Sequence, residues 1–143
     1  MSRLFILTTL VLLCTGCGSG KPVPISGRVT LNGKPLANAA VLFNPVAAKD
    51  EQNPGPGSTG TTDDDGHYTL SIVGKTVKGA VIGKHKVQIV MSNTESTDTA
   101  DDRPKRSKPT VRIPPRYHSK DSKLEFEVTS GGSDSANFDL TSP

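Results

Sequence analysis

The chain has no tryptophan and only six other aromatic residues, so no large ring system dominates its core and Val, Leu and Ile must carry the packing. It has two cysteines, Cys14 and Cys17, both close to the N-terminus, which excludes a disulfide-stapled domain downstream. Two methionines stand against 14 glycines and 11 prolines, a balance that favours turns over helices. No window of the chain carries an apolar stripe at the helical period, and the longest apolar run is too short to span a bilayer comfortably. Gly-x-Ser-x-Gly, phosphate-cradling loops and paired catalytic carboxylates are all missing. The net charge of +3, or +2 without Arg3, is too weak to imply nucleic acid as a partner. At 143 residues, the chain has room for one domain.

The N-terminus carries the strongest local signal. Arg3 supplies a short positive region, and Leu4 to Leu13 is apolar except for Thr8 and Thr9. Ten helical residues rise about 15 Å, half of a bilayer core, which fits the apolar segment of an export signal better than a membrane span. Thr15 and Gly16 are small and precede Cys17. The run Leu13-Cys14-Thr15-Gly16-Cys17 resembles the lipobox of bacterial lipoproteins, whose last cysteine receives a diacylglyceryl group, and in such proteins acyl chains such as palmitate hold the mature chain on a membrane. Cys14 departs from that motif, which usually has Leu, Val or Ile there. The resemblance implies a signal peptide over residues 1–16, lipid attachment at Cys17, a tether over 17–24, and a domain over 25–141. A plain secretory signal with an incidental cysteine is the competing reading.

Beyond the tether, apolar residues alternate. Ile25, Gly27, Val29 and Leu31 share one phase, followed by an Asn32-Gly33 turn; Ala39, Val41 and Phe43 form the next set. Tyr68, Leu70 and Ile72 mark another strand, His85 to Met91 a longer one, then Leu124 to Val128, and Phe138 with Leu140. Residues 44–60 are broken by Pro45, Pro54, Gly55, Pro56 and Gly57, and Ser92–Thr110 holds no large apolar side chain, as expected of a loop. The pattern predicts an all-β fold, a single antiparallel β-sandwich of about seven strands.

Four segments carry a family resemblance: "ISGRVTLNGKPLANAAVLF", "TTDDDGHYTL", "GAVIGKHKVQIV" and "IPPRYHSKDSKLEFEVTSGGSDSANFDL". Together they resemble the carboxypeptidase regulatory-like domains, which share the transthyretin (prealbumin-like) Greek-key sandwich. The resemblance implies a binding or scaffolding module rather than an enzyme, with no cofactor. One transthyretin-like relative, the hydrolase of 5-hydroxyisourate, is an enzyme, but it ends in Tyr-Arg-Gly-Ser, and this chain ends Asp139-Leu140-Thr141-Ser142-Pro143. A carbohydrate-binding module would want exposed aromatics, and Tyr68 and Tyr117 are the only tyrosines.

The remaining clusters have plain explanations beside their functional ones. Asp63-Asp64-Asp65-Gly66 could hold calcium, but an EF-hand counted from Asp63 would need Glu at Gly74, and a hairpin turn suits the segment better. His67, His85 and His118 are too scattered for a zinc site without cysteine. Between Arg103 and Lys123 eight Lys or Arg face one acid, Asp121. Arg103, Lys105, Arg106 and Lys108 therefore form the candidate contact for anionic surfaces, with a solvated loop as the alternative. Membrane lipid, an envelope protein or acidic polysaccharide are the expected partners. The expected location is the periplasmic or outer face of a bacterial membrane.

Overall fold

Asn32 and Gly33 both take positive φ, 52° and 78°. That is the mirror-image turn a two-residue hairpin needs, and it joins β1 (Ser26–Leu31) to β2 (Lys34–Pro35). The computed structural model describes residues 21–49, 52–92 and 111–143. Within them follow β3 (Ala39–Pro45), β4 (Ser58–Thr61), β5 (His67–Thr69), β6 (Ser71–Ile72) and β7 (Gly83–Met91). One helical turn, α1 (Pro115–His118), precedes β8 (Glu125–Val128) and β9 (Phe138–Leu140).

The strands make two sheets. In one, β1 pairs antiparallel with β5 through its first half and with β2 through its second, and parallel with β9. The other has the order β6-β4-β3-β7-β8 and is antiparallel throughout. Alternation decides what lies between them: Val41 stands opposite Ile89, and Phe43 opposite Val87. All four are fully buried, as are Val29 from β1 and Ile25 just before it. Phe138 and Leu140 add the apolar side of β9. The described domain is an all-β sandwich.

Three features depart from the sequence pattern. The Tyr68–Ile72 segment is not one strand, because β5 belongs to the first sheet and β6 to the second. The chain crosses at Leu70, which is fully buried and bonds Ile25 on one side and Gly79 on the other. β4 escapes a reading based on alternation because Ser58-Thr59-Gly60-Thr61 has no apolar residue, and β2 is only two residues long; nine strands result among the described residues. Lastly, the sheets are not purely antiparallel, since β9 runs alongside β1.

Gly27 sits in the apolar phase for a different reason from its neighbours. A Cβ there would lie 2.0 Å from the Ala136 carbonyl oxygen, so backbone fills the space a side chain would need. Gly27→Val should destabilise the domain by about 1–3 kcal/mol or more, read as a lower urea midpoint. An unchanged midpoint would contradict this packing.

The two ends of the sandwich differ. At the first, β1 begins, β3 ends at Pro45 and β7 begins at Gly83. Val23 joins Ala80 there through two backbone hydrogen bonds, 2.9 and 3.0 Å. At the second end lie the Asn32-Gly33 turn, the start of β3 and the end of β7, where the Ser92 N–H donates to the Asn38 carbonyl at 2.8 Å. The Asp63–Gly66 turn is also at this end. It carries the chain from one sheet to the other rather than closing a hairpin, and Gly66 alone supplies the positive φ.

Candidate binding surface

The sequence candidates Cys17, Arg103, Lys105, Arg106 and Lys108 lie outside the described residues. The structure places the residues flanking the central basic run, and these lie at the second end. Ser92 leaves the end of β7, and the chain resumes at the exposed Val111. Buried Ile113 then anchors it beside β7. Pro114 is extended, and Pro115 opens α1, where its missing N–H is no loss. Ser119 ends the turn, with its carbonyl accepting from Gln88 Nε2 at 3.0 Å.

The last residues of the chain lock onto this turn. The Arg116 guanidinium donates to the Thr141 carbonyl and to Thr141 Oγ1, the latter at 3.1 Å, and lies 4.8 Å from the centre of the Tyr117 ring. The Thr141 N–H donates to the Tyr117 hydroxyl at 3.2 Å. Hydrogen bonding from the Thr141 hydroxyl and N–H, with Arg116 alongside, favours the phenolate and lowers the Tyr117 pKa to about 8. Sequence reasoning did not anticipate this Arg116–Tyr117–Thr141 cluster. Its only signal was that Tyr117 is the lone aromatic between residues 103 and 123.

A groove of ≈ 770 Å³ opens beside it, with Met91, Val111 and Pro143 among its walls and Arg112 and His118 at its rim. Arg112, Lys120 and Lys123 are exposed, and the only ion pair among the described residues is His67–Asp63 at 4.0 Å. Among the described residues these three cations have no ion-pair partner, while Arg116 is held by Thr141.

A second, polar cleft of ≈ 590 Å³ lies over β1 and β5, lined by Arg28, Asp63, His67 and Asn137. Its polar groups largely satisfy one another. Arg28 Nε donates to the Asp65 carbonyl at 3.0 Å, and the Arg28 N–H to Asn137 Oδ1 at 2.9 Å. One Asp63 carboxylate oxygen accepts the N–H groups of Asp65 and His67, at 3.0 and 2.8 Å, so it works as a turn cap. Among the described residues no hydroxyl is hydrogen-bonded to a histidine, the arrangement that activates a serine or threonine nucleophile.

The three histidines sit in separate surroundings. His67 is exposed in the turn and His118 on α1, whereas His85 is fully buried, 5.7 Å from the Phe43 ring centre. Its Nδ1 lies 3.0 Å from the Gly83 carbonyl, and Nε2 has no partner among the described residues. Burial lowers its pKa, and the Gly83 contact offsets this only in part. The unfolded chain therefore takes up a proton first as pH falls below about 6.5, and stability drops until the folded-state value is passed. His85→Leu should flatten the melting temperature between pH 7 and about 5 relative to wild type. Parallel curves for the two proteins would show that His85 is not the group responsible.

No protein-family model, curated protein or solved structure matches the chain.

Proposed function

We propose that the chain is an exported bacterial lipoprotein. Cys17 holds it on a membrane, and a Greek-key, transthyretin-like domain of the carboxypeptidase regulatory-like kind serves as a non-enzymatic binding or scaffolding module. Its partners are acidic polysaccharide or an envelope protein, reached through the basic stretch around Arg103, Lys105, Arg106 and Lys108. The leader and the lipobox-like run before Cys17 support the anchor. The observation that carries the binding reading is the placement of the two attachment points at opposite ends of the sandwich. The tether enters at the first end, beside Ala80, and the chain leaves for the basic run at Ser92 and returns at Val111 at the second. The nine residues of β7 separate the ends by about 30 Å, several times the Debye length of about 8 Å at physiological salt. A basic stretch rooted at the far end favours a polyanion beyond the membrane over the headgroups of the anchoring leaflet.

The test removes the lipid. A chain beginning at Lys21 should bind an acidic polysaccharide resin at low salt and elute as salt rises. Replacing Arg103, Lys105, Arg106 and Lys108 together by serine should abolish retention and leave the melting temperature unchanged. If the unsubstituted chain flows through at low salt, the basic stretch is not a binding element.

A further inference from the structure

Scattered exposed aliphatics are ordinary on a protein surface, but their clustering is not. Among the described residues five large apolar side chains are exposed: Val46, Val73, Val77, Ile82 and Val111. The first four are 45%, 56%, 46% and 46% exposed, and all lie at the end of the sandwich where the tether enters. Val46 follows the end of β3, Ile82 precedes the start of β7, and Val73 and Val77 flank the tip that follows β6. They are not on loose backbone. The Val46 N–H donates to the Lys84 carbonyl at 2.8 Å, the Val73 N–H to Gly57 at 3.0 Å, and the Val77 carbonyl accepts from Ile72 at 2.8 Å. Their outward direction is built into the fold.

Among the described residues, the charges flanking the aliphatics in sequence at this end are of one kind. Lys75 and Lys78 flank Val77, and Lys21 opens the described chain two residues before Val23; all three are exposed. The nearest described acids lie to the side: Glu127 stands opposite Lys84 across β7 and β8, and Asp134 adjoins Ser133, which pairs with Ile25. The acidic triplet Asp63–Asp65 is at the opposite end.

We propose that this end of the sandwich seats on an anionic phospholipid surface, with the four aliphatics in the headgroup layer and the lysines against the phosphates. The inference rests on the anchor reading, which also supplies the geometry. Three residues, Gly18 to Gly20, separate Cys17 from Lys21, and the four steps between them reach at most about 14 Å even when fully extended. A chain lipidated at Cys17 must therefore hold this end against its own bilayer, where apolar side chains ringed by cations are favoured. The anchor thus fixes orientation as well as location, and turns the Ser92 and Val111 end outward.

The absence of tryptophan allows a direct test. The protein carrying Val73→Trp, extracted from membranes in its mature form, is reconstituted in phosphatidylglycerol–phosphatidylcholine vesicles with brominated acyl chains, which quench only an indole that touches lipid. Val73→Trp should be quenched, and Asp64→Trp at the other end should not. Adding Val46→Asp and Ile82→Asp to Val73→Trp should abolish quenching while the protein still sediments with vesicles through its lipid. Val77→Trp gives a second reporter if Val73→Trp folds poorly, as judged by its melting curve. Unquenched indole at position 73 or 77 in a folded, vesicle-bound protein overturns the proposal. So does blue-shifted but unquenched emission, which would assign this end to a second copy of the chain. Intact mass reads the anchor separately. If Cys17 carries no acyl group, the anchor reading fails alone, and quenching by the same vesicles still decides whether this end touches lipid.

Discussion

Phe43→Ala should lower the unfolding free energy by about 3–5 kcal/mol, the usual cost of emptying a fully buried aromatic site. Phe43 is 0% exposed in the middle of β3, and three rings surround it. Phe126 lies 5.6 Å away, Phe138 6.1 Å and His85 5.7 Å, centre to centre. Phe126 and Phe138 also meet each other at 6.4 Å, so these four rings form one connected cluster bridging both sheets. Few other groups could fill the gap, because the chain has no tryptophan and residues 21–143 have no cysteine to form a staple. A domain of this size has about 5–15 kcal/mol in hand, so the loss would be a large share of the total. Phe126→Ala should cost less, since Phe126 is only half-buried and can be replaced partly by water. The pair of urea midpoints checks the ranking. A Phe43→Ala loss below about 1 kcal/mol would mean that this ring cluster is not the centre of the core.

Cys17→Ser should change location rather than stability. Without the thiol no thioether to a diacylglyceryl group can form, and lipid-dependent cleavage before residue 17 has no substrate. A dual or triple acyl anchor holds a protein on membranes far more firmly than a handful of surface contacts, because each buried CH₂ adds about 0.8 kcal/mol. The variant should therefore fail to appear as an acylated species in the membrane fraction. The folded domain should melt as wild type does, since residue 17 lies before the first hydrogen-bonded residue of the described chain, Val23. Cys14→Ser should leave acylation intact, because Leu13 is too large for the position before the acceptor.

The strands that sequence reveals are those in which burial is written as alternation. Val41 with Phe43, Val87 with Ile89, and Ile25 with Val29 all point inward as their spacing requires. Asn32-Gly33 announces its turn because few other pairs tolerate two positive φ angles. β4 is silent because its four residues are held by backbone pairing to β3, not by apolar side chains. The Leu70 crossing is silent too, since a strand that changes sheets keeps its alternation. Asn38, at φ 55°, carried no local signal either; its conformation is fixed by the Thr62 side chain, which accepts the Ala39 N–H at 2.9 Å and donates to Leu36 at 2.6 Å. For function, the basic run was legible as charge and the proposed leader as a pattern. The difference between the two ends was not, because it depends on topology: Val46, Val73, Val77 and Ile82 are spread over 37 residues and come to one end only when β6, β4, β3 and β7 are aligned.

Anchoring through Cys17 is the claim on which the proposed orientation of the domain, with Ser92 and Val111 facing outward, depends. Intact mass spectrometry of the protein extracted from membranes tests it most directly. The expected species begins at Cys17 and carries a diacylglyceryl group, with residues 1–16 removed. A chain that retains residues 1–16, or one cut elsewhere with an unmodified N-terminus, would contradict it.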